Sequence, residues 1–91
     1  MSKYVLMCCG GFPTVKENKP VLCDWPDELQ ETDFFPSQKK AEEKVKELRS
    51  FRYFKYEDFE IMKIHDYEAL MNSYETGDLS CLESVKTCVG G

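Results

Sequence analysis

One stretch decides how this chain folds, PSQKKAEEKVKELR at residues 36–49. Its apolar residues Ala41, Val45 and Leu48 recur at the spacing i, i+4 and i+7, and every position between them is charged. This pattern predicts an amphipathic helix that lays one narrow apolar stripe on a core. Pro36 suits the start of such a helix, and Ser37 can cap its free amide groups.

The chain before this helix predicts two strands. Residues 3–9 carry apolar side chains on both faces, as expected for a buried strand, and the Gly10-Gly11 pair ends it. Residues 12–19 are expected to form a hairpin loop, and residues 20–25 return as a second strand. Residues 24–33 then form an acidic connection, in which Pro26 can open a single helical turn.

The chain after the helix predicts two more strands and a second helix. Residues 51–56 are rich in aromatic side chains and residues 59–64 alternate cleanly, so we expect a β-hairpin that turns at residues 57–58. Asp66 can cap a helix over residues 67–74, and Gly77 can end it. The tail at residues 78–91 is compatible with either a short helix or a final strand.

The predicted element order is β-β-α-β-β-α. This order indicates an α+β fold, an antiparallel β-sheet with helices packed on one face. A chain of 91 residues is long enough for one domain, which we expect to cover residues 1–91. No apolar run has membrane-spanning length, and the first residues lack the features of a secretory leader, so we expect a cytoplasmic protein.

Charge is unevenly distributed along the chain. Residues 37–55 hold seven basic and three acidic residues, whereas the rest of the chain holds five basic and fourteen acidic ones, and the total is −5. Acidic surfaces attract basic partners, and a basic band can meet phosphate. The candidate partner-binding residues are therefore the basic Lys39, Lys40, Lys44, Arg49 and Arg52 and the acidic Asp27, Glu28 and Glu31.

The five cysteines, Cys8, Cys9, Cys23, Cys81 and Cys88, are odd in number and include no Cys-x2-Cys pair. Structural zinc sites usually supply such a pair, and disulfide scaffolds need an oxidising compartment. We therefore expect reduced and mostly buried thiols, with a metal site as the alternative.

Catalytic and cofactor motifs are not found in the sequence. Gly10-Gly11 lacks the lysine and hydroxyl of a phosphate loop, and the acidic residues at 27–33 lack the spacing of a calcium loop. His65 precedes Asp66, but a catalytic triad also needs a positioned nucleophile, so a water-facing histidine is the simpler interpretation. We predict no catalytic residue, no metal and no cofactor.

In size, acidity and lack of motifs, the whole chain resembles the small phage-encoded inhibitors of bacterial defence, particularly anti-CRISPR proteins. The resemblance implies a non-enzymatic protein that docks on a host protein or ribonucleoprotein complex and blocks the access of nucleic acid. On this hypothesis residues 24–33 mimic phosphate charge in a basic channel. The basic residues would contact a guide RNA or an acidic protein surface.

Two other function classes remain open at this point. One is a small thiol-dependent redox or enzymatic factor that uses Cys8 or Cys9, which would require a group that stabilises the thiolate. The other is an accessory subunit of a phage assembly.

Overall fold

The computed structural model describes residues 3–80 and 82–90, and it has the predicted α+β architecture. Three short 3-10 turns accompany the helices and strands, at Pro26–Glu28, Glu31–Asp33 and Arg52–Phe54. The main elements in chain order are β1 Lys3–Cys8, β2 Phe12–Lys16, β3 Lys19–Cys23, α1 Gln38–Leu48, β4 Phe59–Ile64, α2 Tyr67–Thr76 and β5 Glu83–Cys88.

The strands form two antiparallel sheets. The larger sheet has the order β1-β4-β5, and its register places Leu6 opposite Ile61 and Cys8 opposite Phe59. The smaller sheet is the β2–β3 hairpin, whose two-residue turn places Glu17 and Asn18 at positive φ. Two left-handed residues in a two-residue loop match the twist of the flanking strands.

The two helices lie on opposite faces of the larger sheet, whereas the sequence predicted them on one face. The apolar stripe of α1 packs with Leu6 and Ile61, and Leu70 of α2 packs with Val5 and Met62. Neighbouring residues of a strand point to opposite faces, so these two sets are separated by the sheet. Burying one aliphatic side chain contributes about 1.5–3 kcal/mol, so both helices are firmly anchored.

The two predicted helix starts and the predicted end of α2 are confirmed. The hydroxyl of Ser37 accepts a hydrogen bond from the amide of Lys40 at 3.2 Å, and the carboxylate of Asp66 accepts one from the amide of Ala69 at 2.8 Å. Gly77 ends α2 in the left-handed conformation with φ of 78°. These caps satisfy amide groups that would otherwise lack partners at the start of each helix.

Two strand predictions were wrong in their location. Residues 12–16, expected in a loop, form β2, and its Pro13 is tolerated because each strand of a two-stranded sheet is an edge. Residues 51–56, expected as a strand, instead form a turn region around the 3-10 turn Arg52–Phe54. Both edges of β4 are already occupied by β1 and β5, so the predicted hairpin partner has no place in the ladder.

The tail, left open between helix and strand, forms the edge strand β5. The chain after β5 packs closely on the 57–58 turn: the amide of Gly90 donates to Asp58 at 2.6 Å, and a Cβ at Gly90 would lie 2.1 Å from the carbonyl oxygen of Tyr56. Among the described residues, neither helix has the length and apolar character needed to cross a bilayer.

Candidate functional site

The most distinctive surface is acidic and belongs to the α2 side of the molecule. Residues 24–33 hold five acidic residues and residues 66–78 hold four, and neither segment contains a lysine or arginine. The fold packs the two segments together through the ring contact of Trp25 with Tyr74, whose centroids lie 5.7 Å apart. Phe34, directly after the first segment, contacts Tyr67 of the second at 5.5 Å between centroids. We call the exposed part of these two segments the acidic surface.

Three of its members are the acidic residues that the sequence singled out. Asp27, Glu28 and Glu31 lie in the two 3-10 turns after β3, and all three are exposed. Within the described residues, none of these carboxylates forms an ion pair. Their charge therefore faces solvent and is available to a partner.

Asp33 differs from the other acidic residues of this segment. Its side chain is buried and accepts the hydroxyl of Thr14 at 2.8 Å and the amide of Gln30 at 2.9 Å. The bonds fasten the acidic segment to β2 and shape its second turn. Asp33 is thus part of the scaffold rather than of the surface.

Aromatic side chains lie among the carboxylates. Trp25 is 47% exposed and Tyr67 is 41% exposed, which is high for large aromatic residues. Tyr67 also lines a groove of about 240 Å³ with Lys3, Leu29, Glu31 and Phe34. Aromatic anchors beside charged groups are typical of surfaces that bind other macromolecules.

The predicted basic residues do not form a matching free surface. Lys40 approaches Glu43 at 3.7 Å, and Lys44 pairs with Glu47 one helical turn away. On the same helix Glu42 pairs with Lys86 of β5, which lowers the pKa of Glu42 and raises that of Lys86. Lys39 is exposed and forms no ion pair with any described residue. Much of the positive charge of α1 is thus balanced locally.

Arg49, another predicted contact residue, is held inside the structure. Its guanidinium donates to the carbonyl oxygens of Cys88 at 2.7 Å and Glu57 at 3.2 Å, and it lies over the ring of Phe59. The side chain therefore joins the end of α1 to the end of β5. Arg52 is exposed in the 3-10 turn beyond α1 and is separate from the lysines of the helix.

A second exposed aromatic region was missed by the sequence analysis. Tyr53 is 59% exposed and Tyr56 is 68% exposed, whereas the expected strand would have buried one set of alternating aromatics. Phe54 alone enters the core, where its ring lies 5.7 Å from that of Phe59. The sequence showed only that this stretch is rich in aromatic residues, and that richness does not indicate which aromatic side chains are buried.

The third feature is a group of thiols at the end of β1. Cys9 has φ of 53°, which turns its side chain toward that of Cys8, and the two sulfurs lie 3.5 Å apart. The Cys9 thiol donates to a carboxylate oxygen of Glu57 at 3.1 Å. Among the described residues, these three side chains are the ones arranged as a possible metal-binding group. Beside them is a cleft of about 380 Å³ that Asp58 also lines.

The surroundings keep these thiols protonated. Burial, with the Cys9 hydrogen bond and nearby acidic groups, raises the pKa of Cys8 to about 12. The hydrogen bond to Glu57 raises the pKa of Cys9 above its ordinary value. A nucleophilic cysteine needs the opposite, a lowered pKa.

The cysteines and His65 were also singled out from the sequence. Cys8 and Cys23 are buried, Cys88 is half-buried and Cys9 is the exposed exception to the expectation of mostly buried thiols, and Cys81 lies outside the described residues. His65 follows β4 and faces water as expected, with 78% of its side chain exposed. It is beyond Ile64, whereas Cys8 pairs with Phe59 at the other end of β4.

Comparison of this chain with models of protein families, with curated proteins and with solved structures finds no match.

Proposed function

We propose that this chain is a non-enzymatic inhibitor of the anti-CRISPR type, whose acidic surface docks on a nucleic-acid-targeting complex of a host cell and blocks the access of nucleic acid. The observation that carries the proposal is the convergence of residues 24–33 and 66–78, which present acidic residues and no lysine or arginine. A surface of this kind competes with phosphates for a basic channel because both present closely spaced negative charges.

The shape of the acidic surface supports the proposal. Its exposed carboxylates are on short turns whose backbone is fastened by Asp33 and by the buried ring of Pro26. Charges held by a rigid backbone lose little conformational entropy when a partner binds. Trp25 and Tyr67 add apolar contact area beside the carboxylates.

A binding role also agrees with the chemistry of the thiols. The rival class, a thiol-dependent factor, would need Cys8 or Cys9 as a thiolate, and their surroundings raise both pKa values. His65 is at the far end of β4 from these thiols. Direct contact with a guide RNA is a smaller part of the proposal. Of the predicted basic residues, Lys39 and Arg52 are the exposed ones that form no ion pair with a described residue, and they would make this contact.

Affinity capture from a bacterial lysate tests the proposal. The tagged chain is compared with an acidic-surface variant, in which Asp27→Lys, Glu28→Lys and Glu31→Lys are combined. The control variant combines Glu17→Lys, Glu60→Lys and Glu83→Lys, which changes the net charge equally at exposed sites elsewhere that form no ion pair with a described residue. Like charges across an interface cost several kcal/mol, so we expect the first variant to bind at least about tenfold more weakly.

The expected result is a nucleic-acid-binding complex retained by the wild type and by the control variant, and lost by the acidic-surface variant. Equal capture by all three proteins would contradict the proposal. So would the recovery of a partner that binds no nucleic acid.

A further inference from the structure

We infer that Cys8, Cys9 and Glu57 form a binding site for one thiophilic divalent cation of the zinc class, at the end of the sheet opposite His65. The site does not depend on the acidic surface. Its three donor atoms lie within 4.8 Å of one another and come from parts of the chain 48 residues apart.

The distances between the donor atoms fit a tetrahedral ion. With Zn–S bonds of about 2.3 Å and a Zn–O bond of about 2.0 Å, tetrahedral angles place two sulfur atoms about 3.8 Å apart and a sulfur and an oxygen about 3.5 Å apart. The observed separations are 3.5 Å between the two sulfurs and 3.1 Å from the Cys9 sulfur to the Glu57 oxygen. Widening these two separations by a few tenths of an ångström gives the tetrahedral values, and the third separation, between the donor atoms of Cys8 and Glu57, is within 4.8 Å.

The backbone conformation explains how two adjacent cysteines can coordinate the same ion. In a regular strand, neighbouring side chains point to opposite faces, so Cys8 and Cys9 would diverge. Cys9 instead adopts φ of 53°, a left-handed conformation that is unfavourable for a residue other than glycine. Gly10 follows with φ of 80°, which completes the reversal of the chain. Strained residues of this kind collect at functional sites.

The electrostatic setting favours a cation. Asp58 and Glu60 line the cleft beside the thiols, and among the described residues no lysine or arginine lines it. Their negative charges attract a divalent cation. On binding, the cation forms two metal–sulfur bonds and a metal–oxygen bond, and the protons of both thiols pass to the buffer.

Three protein ligands leave a fourth position for water, which the cleft can supply because the Cys9 side faces solvent. The ion would tie the end of β1 to the turn before β4. Because Asp58 of that turn also holds the amide of Gly90, metal binding would stabilise this whole end of the sheet.

Cobalt titration of the reduced full chain tests the site, because Co²⁺ bound to thiolates absorbs by ligand-to-metal charge transfer. We expect one ion per chain, displacement by Zn²⁺, release of two protons, and weaker binding as the pH falls. Zinc should also raise the midpoint of thermal unfolding.

Variants assign the ligands. Cys9→Ala changes an exposed side chain and should abolish the two-thiolate spectrum, and Glu57→Gln should weaken binding at least about tenfold. Cys23→Ser removes a thiol from the other side of the sheet and should bind as the wild type does. Circular dichroism confirms that each variant is folded.

The inference is overturned if the wild type binds no Co²⁺ or Zn²⁺ at one equivalent. It is also overturned if Cys9→Ala retains the wild-type affinity, or if Cys23→Ser loses it.

Discussion

The two sides of the larger sheet differ in the sign of their charged residues and in whether those residues are paired. On the α1 side, lysines alternate with glutamates at helical spacing, and Lys40 and Lys44 have acidic partners on the same helix. On the α2 side, the acidic surface has no lysine or arginine within its two segments. A charged stretch of sequence is available to a partner only where the structure leaves its charges unpaired. The acidic side meets that condition better than the basic side.

The largest effect should come from the anchors of the two helices. Leu48 of α1 and Leu70 of α2 are both fully buried, so Leu48→Ala and Leu70→Ala should each lower the free energy of unfolding by about 2–5 kcal/mol. Denaturant titration measures both. A loss below about 1 kcal/mol for Leu70→Ala would mean that α2 is loosely attached, and the acidic surface would then not be rigid.

Variants of Arg49 and Arg52 distinguish a structural role from a surface position among the predicted basic residues. Arg49→Ala should cost about 1.5–3 kcal/mol of stability because the guanidinium bonds to the carbonyl oxygens of Cys88 and Glu57 would be lost. Arg52→Ala changes an exposed side chain and should stay within about 0.5 kcal/mol of the wild type. Equal effects in denaturant titration would refute the structural role of Arg49.

Variants of Asp33 and Asp27 distinguish a structural role from a surface position among the acidic residues. Asp33→Asn weakens the acceptor of bonds from Thr14 and Gln30, so it should cost about 1–3 kcal/mol. Asp27→Asn should change stability by no more than about 0.5 kcal/mol, because its side chain is exposed. Thermal unfolding compares the two. A neutral Asp33→Asn would show that the acidic segment is held by other contacts.

The smallest expected effect concerns the ion pair between Glu42 of α1 and Lys86 of β5. Lys86 donates to Glu42 and lowers the pKa of that carboxyl, so Lys86→Ala should return the pKa of Glu42 toward its ordinary value. NMR titration of the Glu42 side chain measures the shift. Lys86 is exposed and Glu42 is half-buried, so high salt should weaken the pairing in the wild type. An unchanged pKa would mean that the pair does not persist in solution.

Much of the fold could be predicted because its signals are local. Helix α1 follows from its apolar spacing and from Ser37, and β4 follows from its alternation. The segment at residues 51–56 was mistaken for a strand because β-propensity does not report whether a neighbouring strand has a free edge. In the structure β1 and β5 occupy both edges of β4.

The candidate sites were harder to predict for the same reason. The acidic residues at 24–33 were visible in the sequence, but their association with α2 depends on tertiary contacts such as that of Trp25 with Tyr74. Glu57 was expected only as a turn residue. Its contact with Cys9 depends on the positive φ of Cys9, for which the following glycines were a faint signal.

We propose that the acidic surface binds the target complex at the site that nucleic acid occupies. The most direct measurement is competition on the captured complex, with a fluorescent nucleic acid already bound to it. We expect the wild-type chain to displace the nucleic acid, and the variant with Asp27→Lys, Glu28→Lys and Glu31→Lys to leave it bound. A ternary complex in which the wild-type chain and the nucleic acid are bound together would contradict this proposal.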